Sequence, residues 1–226
     1  MALADAFSRR RDHFVERCVE RAAGNPLFLE QLLRHAEESA EARVPGSVQS
    51  LVQARVDRLD PTDKAALQAA SVLGQRFGRE ALLHLLSGRQ YDPQPLVAHF
   101  LVRPQGETFL FAHALIRDAV YDTLLKRRRH ELHRRAAAWF AERDLILHAE
   151  HLDRAENAEA PKAYLEAARA QAAEYRYDVA RGLIERGAAL AHSRADRFAL
   201  ACFQGEILHD LGDMAAAKHA YYQLAV

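Results

Sequence analysis

Along most of the chain, apolar residues return every three to four positions, the spacing of helices that bury one face. Phe14, Cys18, Val19 and Ala22 form one such run, which stops at Gly24. Asn25 is placed to cap a second helix, with Pro26 at its first position and Leu29, Leu32, Leu33 and Ala36 along one face. After the Pro45-Gly46 break, Ser47 opens a third, in which Val48, Leu51, Val52, Val56 and Leu59 line up. Asp60-Pro61-Thr62-Asp63 is a further start signal, with Asp60 as the cap. The helix it begins carries Ala66, Leu67, Ala70, Val72 and Leu73 and ends at Gly74.

Short helices fit residues 79–86 and 94–100, and then the period changes. Leu101-Val102-Arg103-Pro104 and Thr108-Phe109-Leu110-Phe111, joined through Gln105-Gly106-Glu107, predict two short strands in a hairpin. Three short helices followed by one hairpin outline a winged helix. From His113 onward the pattern is helical again, with one stripe of Leu115, Ile116, Ala119, Val120, Leu124 and Leu125 and another of Leu132, Ala136 and Phe140.

Beyond about Pro161 the chain becomes alanine-rich, with aromatics at intervals. Aligning Ala180 with Ala217 brings Ile184 over Tyr221 and Ala168 near Gly205. Small residues where paired helices touch, with a bulky one a turn later, are what stacked helical hairpins require. The predicted architecture is therefore mainly α: helices, a winged helix with one short β-hairpin, then α-hairpin (tetratricopeptide-like) repeats. Both ends run in amphipathic pattern without a cap, which reads as a segment of a longer protein.

Composition narrows the function. In 226 residues, 31 Lys and Arg balance 31 Asp and Glu, so no overall charge draws the chain to nucleic acid or to an acidic membrane. Cys18 and Cys202 are the two cysteines, too few for a disulfide framework or a zinc spacing, and a cytoplasmic setting is expected. No apolar run is long enough to span a bilayer. None of the ten glycines falls in a phosphate-binding loop, and no Gly-x-Ser-x-Gly elbow singles out a nucleophile, so no catalytic residue is expected.

His130 and His133, and His148 and His151, are spaced i,i+3 without an evident third ligand, which predicts core-edge or surface histidines and no metal site. Lys126, Arg127, Arg128 and Arg129, with Arg134 and Arg135 behind them, form the strongest basic cluster. It falls after the predicted wing, and residues 92–100, the segment a winged helix would place in a groove, contain no Lys or Arg. The cluster therefore reads as a solvated face or a possible basic contact patch for an acidic partner, and DNA binding is not expected. The alternative is a winged-helix DNA-binding transcription factor with a helical dimerisation tail.

Several separated segments carry a resemblance. Gly24-Asn25-Pro26-Leu27-Phe28-Leu29-Glu30-Gln31-Leu32 and Phe111-Ala112-His113-Ala114-Leu115-Ile116-Arg117-Asp118-Ala119-Val120-Tyr121 resemble the STAND class of signal-transduction ATPases. Val44-Pro45 with Arg55-Val56-Asp57-Arg58-Leu59, the segment from Ala69 to Phe77, and Arg129, His133 and Ala137 fit the same pattern in order. The likeness spans about residues 15–140 and is closest to bacterial members found beside adenylate/guanylate cyclase domains or LuxR-type regulators.

The resemblance implies a missing ATPase core upstream and a helical lid remnant with a connecting helix over 1–59. It implies a winged helix over 60–126, linking helices over 127–160 and truncated repeats over 161–226. It further implies that Gly24 and Pro26, in the Gly-x-Pro motif, and His113 contact nucleotide in the full-length parent, Pro26 against adenine and His113 at the β-phosphate. Ala114 stands where relatives often carry Asp. No cofactor is implied for this segment alone, ATP or ADP with Mg belonging to the parent. The implied partners are the intramolecular ATPase core and a protein or small ligand at the repeats.

Overall fold

A computed structural model describes residues 15–16, 18–20, 29 and 48–222, with side chains from 52 to 218 in the last stretch. Gly24 and Pro26, and the expected caps Asn25 and Ser47, lie outside the described residues. The continuous elements are α1 (Val48–Val56), α2 (Pro61–Leu73), β1 (Arg76–Gly78), α3 (Arg79–Leu85), α4 (Gln94–Ala98), β2 (Val102–Gln105) and β3 (Thr108–Phe111). They continue as α5 (Ala114–Asp122), α6 (Lys126–Phe140), α7 (Leu145–Arg154), α8 (Ala160–Ala173), α9 (Tyr177–Leu190), α10 (Arg194–Asp210) and α11 (Met214–Tyr222). The protein is mainly helical with a small antiparallel sheet, and its contacts separate at Leu124 and Leu125 into two compact units.

In the first unit, α2 starts at the Asp60-Pro61 signal, but the Asp60 side chain makes no capping hydrogen bond. Pro61, which has no N–H to satisfy, occupies the first turn instead. Ala66, Leu67 and Ala70 of α2 are completely buried, as are Leu82 and Leu85 of α3, Leu96 of α4 and Ile116 and Val120 of α5. Leu115 and Leu125, expected on the same stripe as Ile116, are exposed. Arg117 ties α5 to α2 by donating Nε–H to the Ser71 carbonyl at 2.9 Å.

The sheet has three strands, one more than the expected hairpin, in the order β1-β3-β2. Arg76-Phe77-Gly78 is too short to show a period of two, yet Phe77 is buried, pairs with Phe109 and packs against Phe111 with ring centroids 5.7 Å apart. The Gln75 amide extends the pairing by donating to the Phe111 carbonyl at 2.9 Å. In the hairpin Gln105 faces Thr108, leaving Gly106 and Glu107 as a two-residue loop. Gly106 has φ 57°, a left-handed value that glycine accepts at that position of a tight turn. Pro104 lies on β2, an edge strand, where its missing N–H breaks no ladder.

The second unit is a run of antiparallel helices, each packed on the next: α6 on α7, α7 on α8, α8 on α9, α9 on α10 and α10 on α11. The repeat alignment is visible in the packing. Ala180 and Ala217 are both buried, as are Ala168 and Gly205, while the Tyr221 side chain lies outside the described residues. Short polar residues start the helices: Asp144 accepts from the Leu147 N–H at 3.0 Å, Ser193 from Asp196 at 2.9 Å and Asp213 from Ala216 at 3.0 Å. Asp153 of α7 joins three helices, accepting from Tyr164 of α8 at 3.1 Å and from Arg186 of α9 at 2.7 Å. Burial and the Asp153 carboxylate together push the Tyr164 hydroxyl up to about 12.

Candidate functional site

His113 is the expected contact residue that the structure describes. The chain reaches it from β3 through Ala112, whose N–H donates to the Leu101 carbonyl at 3.0 Å, so the approach is anchored by backbone. His113 has extended backbone and is the N-cap of α5; its Nδ1 accepts the Leu115 N–H at 3.1 Å. A helix start leaves N–H groups without helical partners, and this ring satisfies one of them.

The cap also fixes the tautomer. With Nδ1 occupied as an acceptor, the neutral ring carries its proton on Nε2. The side chain is exposed at the helix N-terminus, where backbone N–H groups and the helix dipole favour an anion. His113 can therefore cap α5 and offer an Nε2–H donor outward at once. Behind it, Arg117 is engaged three ways: with Ser71, with Asp118 at 2.8 Å, and over the Tyr121 ring at 4.9 Å from the centroid. Those contacts hold the first turns of α5 in place.

The basic run Lys126, Arg127, Arg128 and Arg129 is the first turn of α6. Lys126 pairs with Glu156 at 2.7 Å, and Arg128 with Glu131 at 2.8 Å. Arg135 also reaches Glu131. The hydrogen bond from Arg128 holds the Glu131 carboxyl below its ordinary range, and Lys126 does the same to Glu156. Arg129 is half-buried, whereas Arg127 and Arg134 are exposed. Helical spacing and these pairings spread the run around α6, so it presents a mixed-charge surface and not one cationic patch.

Two of these four histidines depart from the expected surface or core-edge placement. His133 and His151 are fully inside the α6–α7 hairpin, while His130 and His148 are half-buried. The apolar stripe Leu132, Ala136, Phe140 continues through His133 and Ala137 one position along, and that broader stripe was the available signal. Among the described residues no group of three or more His, Cys, Asp or Glu could hold a metal ion.

Comparison with known proteins adds a fold-level finding. No protein-family model matches the chain, and no curated protein matches it. Among solved structures, the chain is similar to a signal transduction ATPase with numerous domains (STAND) protein with a tetratricopeptide repeat sensor, from Pyrococcus horikoshii. The TM-score is 0.52 at 14% identity, over 91% of this chain. The chain spans 36% of the length of that protein. At this identity the likeness is one of fold.

Proposed function

We propose that this chain is a non-catalytic regulatory segment of a STAND-type ATPase, coupling the nucleotide state of an ATPase core to sensing by helical repeats. The observation that carries the reading is the order of elements: helix, strand, two helices and a hairpin, then His113 at the head of α5, then stacked helical hairpins. The first part has the order of a winged helix and the second that of tetratricopeptide-like repeats. The similarity in fold to a STAND protein with a repeat sensor supports joining them.

In this reading the nucleotide, ATP or ADP with Mg, is held by the parent's core. The residues of this chain fit the edge of such a site: an exposed Nε2–H donor at a helix N-terminus suits a phosphate oxygen. Gly24 and Pro26 are assigned to the adenine side by the resemblance alone. Repeats that bury small residues between helices leave their outer faces for a protein or small ligand. Among the described residues no helix is long and apolar enough to cross a membrane, and we place the protein in the cytoplasm, with a cyclase or LuxR-type output in the same parent.

Switching would be a swing of the winged helix from the core, driven by contacts that differ between the nucleotide states. The test is ADP retention by the full-length parent, wild type against His113→Asn. Faster ADP release in the variant supports the reading; unchanged release takes His113 out of the mechanism.

A further inference from the structure

The α6–α7 hairpin has a polar pair in its interior that nucleotide switching does not use. His133 and His151 are 0% and 2% exposed, and their Nδ1 atoms lie 2.8 Å apart. The ring centroids are 5.1 Å apart, and Phe140 stacks on His151 at 5.4 Å with planes 11° from parallel. A hydrogen bond between two Nδ1 atoms requires one ring to donate and the other to accept. In the neutral pair the rings are therefore opposite tautomers.

Acid acts on this arrangement in two steps. A first added proton leaves the Nδ1–H···Nδ1 bond intact but places a charge where water does not reach it. A second puts a hydrogen on both Nδ1 atoms and sets donor against donor. The neighbours of His151 on α7 oppose the first step: Arg154 and His148, the latter donating Nδ1–H to the Ala137 carbonyl at 2.8 Å, both disfavour a positive charge on His151. Among the described residues of these helices, Glu131, Glu150 and Asp153 hold ion pairs of their own. Glu150 pairs with Arg154, and Glu131 of α6 with Arg128 and Arg135. From α8, Tyr164 gives its hydroxyl to Asp153, which also takes Arg186 of α9.

We propose that the His133–His151 pair makes the α6–α7 hairpin an acid-sensitive joint, closed while both rings are neutral and opened by their protonation. Burial, with Arg154 and His148 adding to it, holds His151 down at about 4 from its ordinary 6.5. An opened hairpin takes up the proton from about pH 6.5 and the closed one only near pH 4. The stabilisation is therefore complete above pH 6.5 and is lost as pH falls through that window.

Trp139, the chain's single tryptophan, lies in α6 and reports on the hairpin. The test follows its emission in urea with the full chain at pH 7 and pH 5, wild type against His151→Gln. The wild-type closing constant should fall about twenty-fold more than the variant's across this interval. Equal pH dependence in both proteins overturns the proposal. Should His151→Gln fail to fold, the ring carbon resonances of the wild type decide. Two rings still neutral at pH 5 while Trp139 reports a closed hairpin support the joint. All rings protonating near pH 6.5 with unchanged emission remove it.

Discussion

Gly187 of α9 lies so close to Tyr164 of α8 that a Cβ on the glycine would sit 3.0 Å from the tyrosine's own Cβ. The same atom would meet Leu200 Cδ2 of α10 at 3.0 Å and the Pro161 carbonyl oxygen at 3.4 Å. Three helices converge on this point, and two of the neighbours are backbone or Cβ atoms that cannot rotate away. Gly187→Ala should therefore destabilise the second unit by about 1–3 kcal/mol of packing strain, less about 1 kcal/mol from better helix propensity. Gly182, in the same helix, has nothing within 4 Å of such a Cβ. Gly182→Ala should raise stability by roughly 0.5–1 kcal/mol. Urea unfolding of the two variants measures both signs, and a stabilised Gly187→Ala protein would refute the close approach.

Tyr175 follows the end of α8 with φ 60°, and Gly212 follows the end of α10 with φ 80°. They are matching positions of successive hairpins, and the left-handed backbone that glycine takes freely is strained for tyrosine. The Tyr175 side chain is 81% exposed, so it recovers little by packing. Tyr175→Gly should add about 0.5–1 kcal/mol to stability, and Gly212→Ala should remove about 1 kcal/mol. Thermal melts of the two variants should move in opposite directions.

The repeat and its turns leave unequal traces in the sequence. Ala180 aligns with Ala217 because alanine at a helix contact leaves a compositional trace. The Tyr175 turn left none, since a tyrosine does not announce a left-handed residue. The hairpin is legible from two short apolar runs on either side of Gln105-Gly106-Glu107, but β1 is not. Three residues set between two helices show no period, and Phe77 is drawn into the sheet by Phe109 and Phe111, far along the chain. For His113 the resemblance implies a nucleotide contact, and the structure adds its role as the N-cap of α5. The cap is observed; the contact needs residues outside this chain. The sequence spacing sets His133 beside His130 and His151 beside His148, whereas the structure pairs His133 with His151 across two helices.

The two readings of His113 separate by substitution. Asn retains an N-cap acceptor, whereas Ala removes it at a cost of about 0.5–2 kcal/mol. In this chain, His113→Ala should lower the stability of the first unit by that amount and His113→Asn should change it little. In the full-length parent, both substitutions remove the Nε2–H donor and both should speed ADP release. A variant set in which ADP release follows stability, with Asn behaving as wild type, would leave His113 a cap alone.

The DNA-binding alternative makes an opposite demand on charge. A winged helix grips a duplex by neutralising phosphates around the segment it places in the groove, each contact adding about 0.9 to the slope of log K against log salt. Residues 92–100, which include α4, supply no Lys or Arg, and their exposed side chains include Asp92, Gln94 and His99. The basic run belongs to the other compact unit, where Glu156 and Glu131 already engage Lys126, Arg128 and Arg135. Freeing a paired lysine for phosphate means breaking its ion pair first, so the run contributes less than its count suggests. Fluorescence anisotropy with a labelled duplex across a salt series should give weak binding with a slope below about 2. A slope of several units would mean that a phosphate-binding surface forms after all, and would favour the transcription-factor reading over the nucleotide switch.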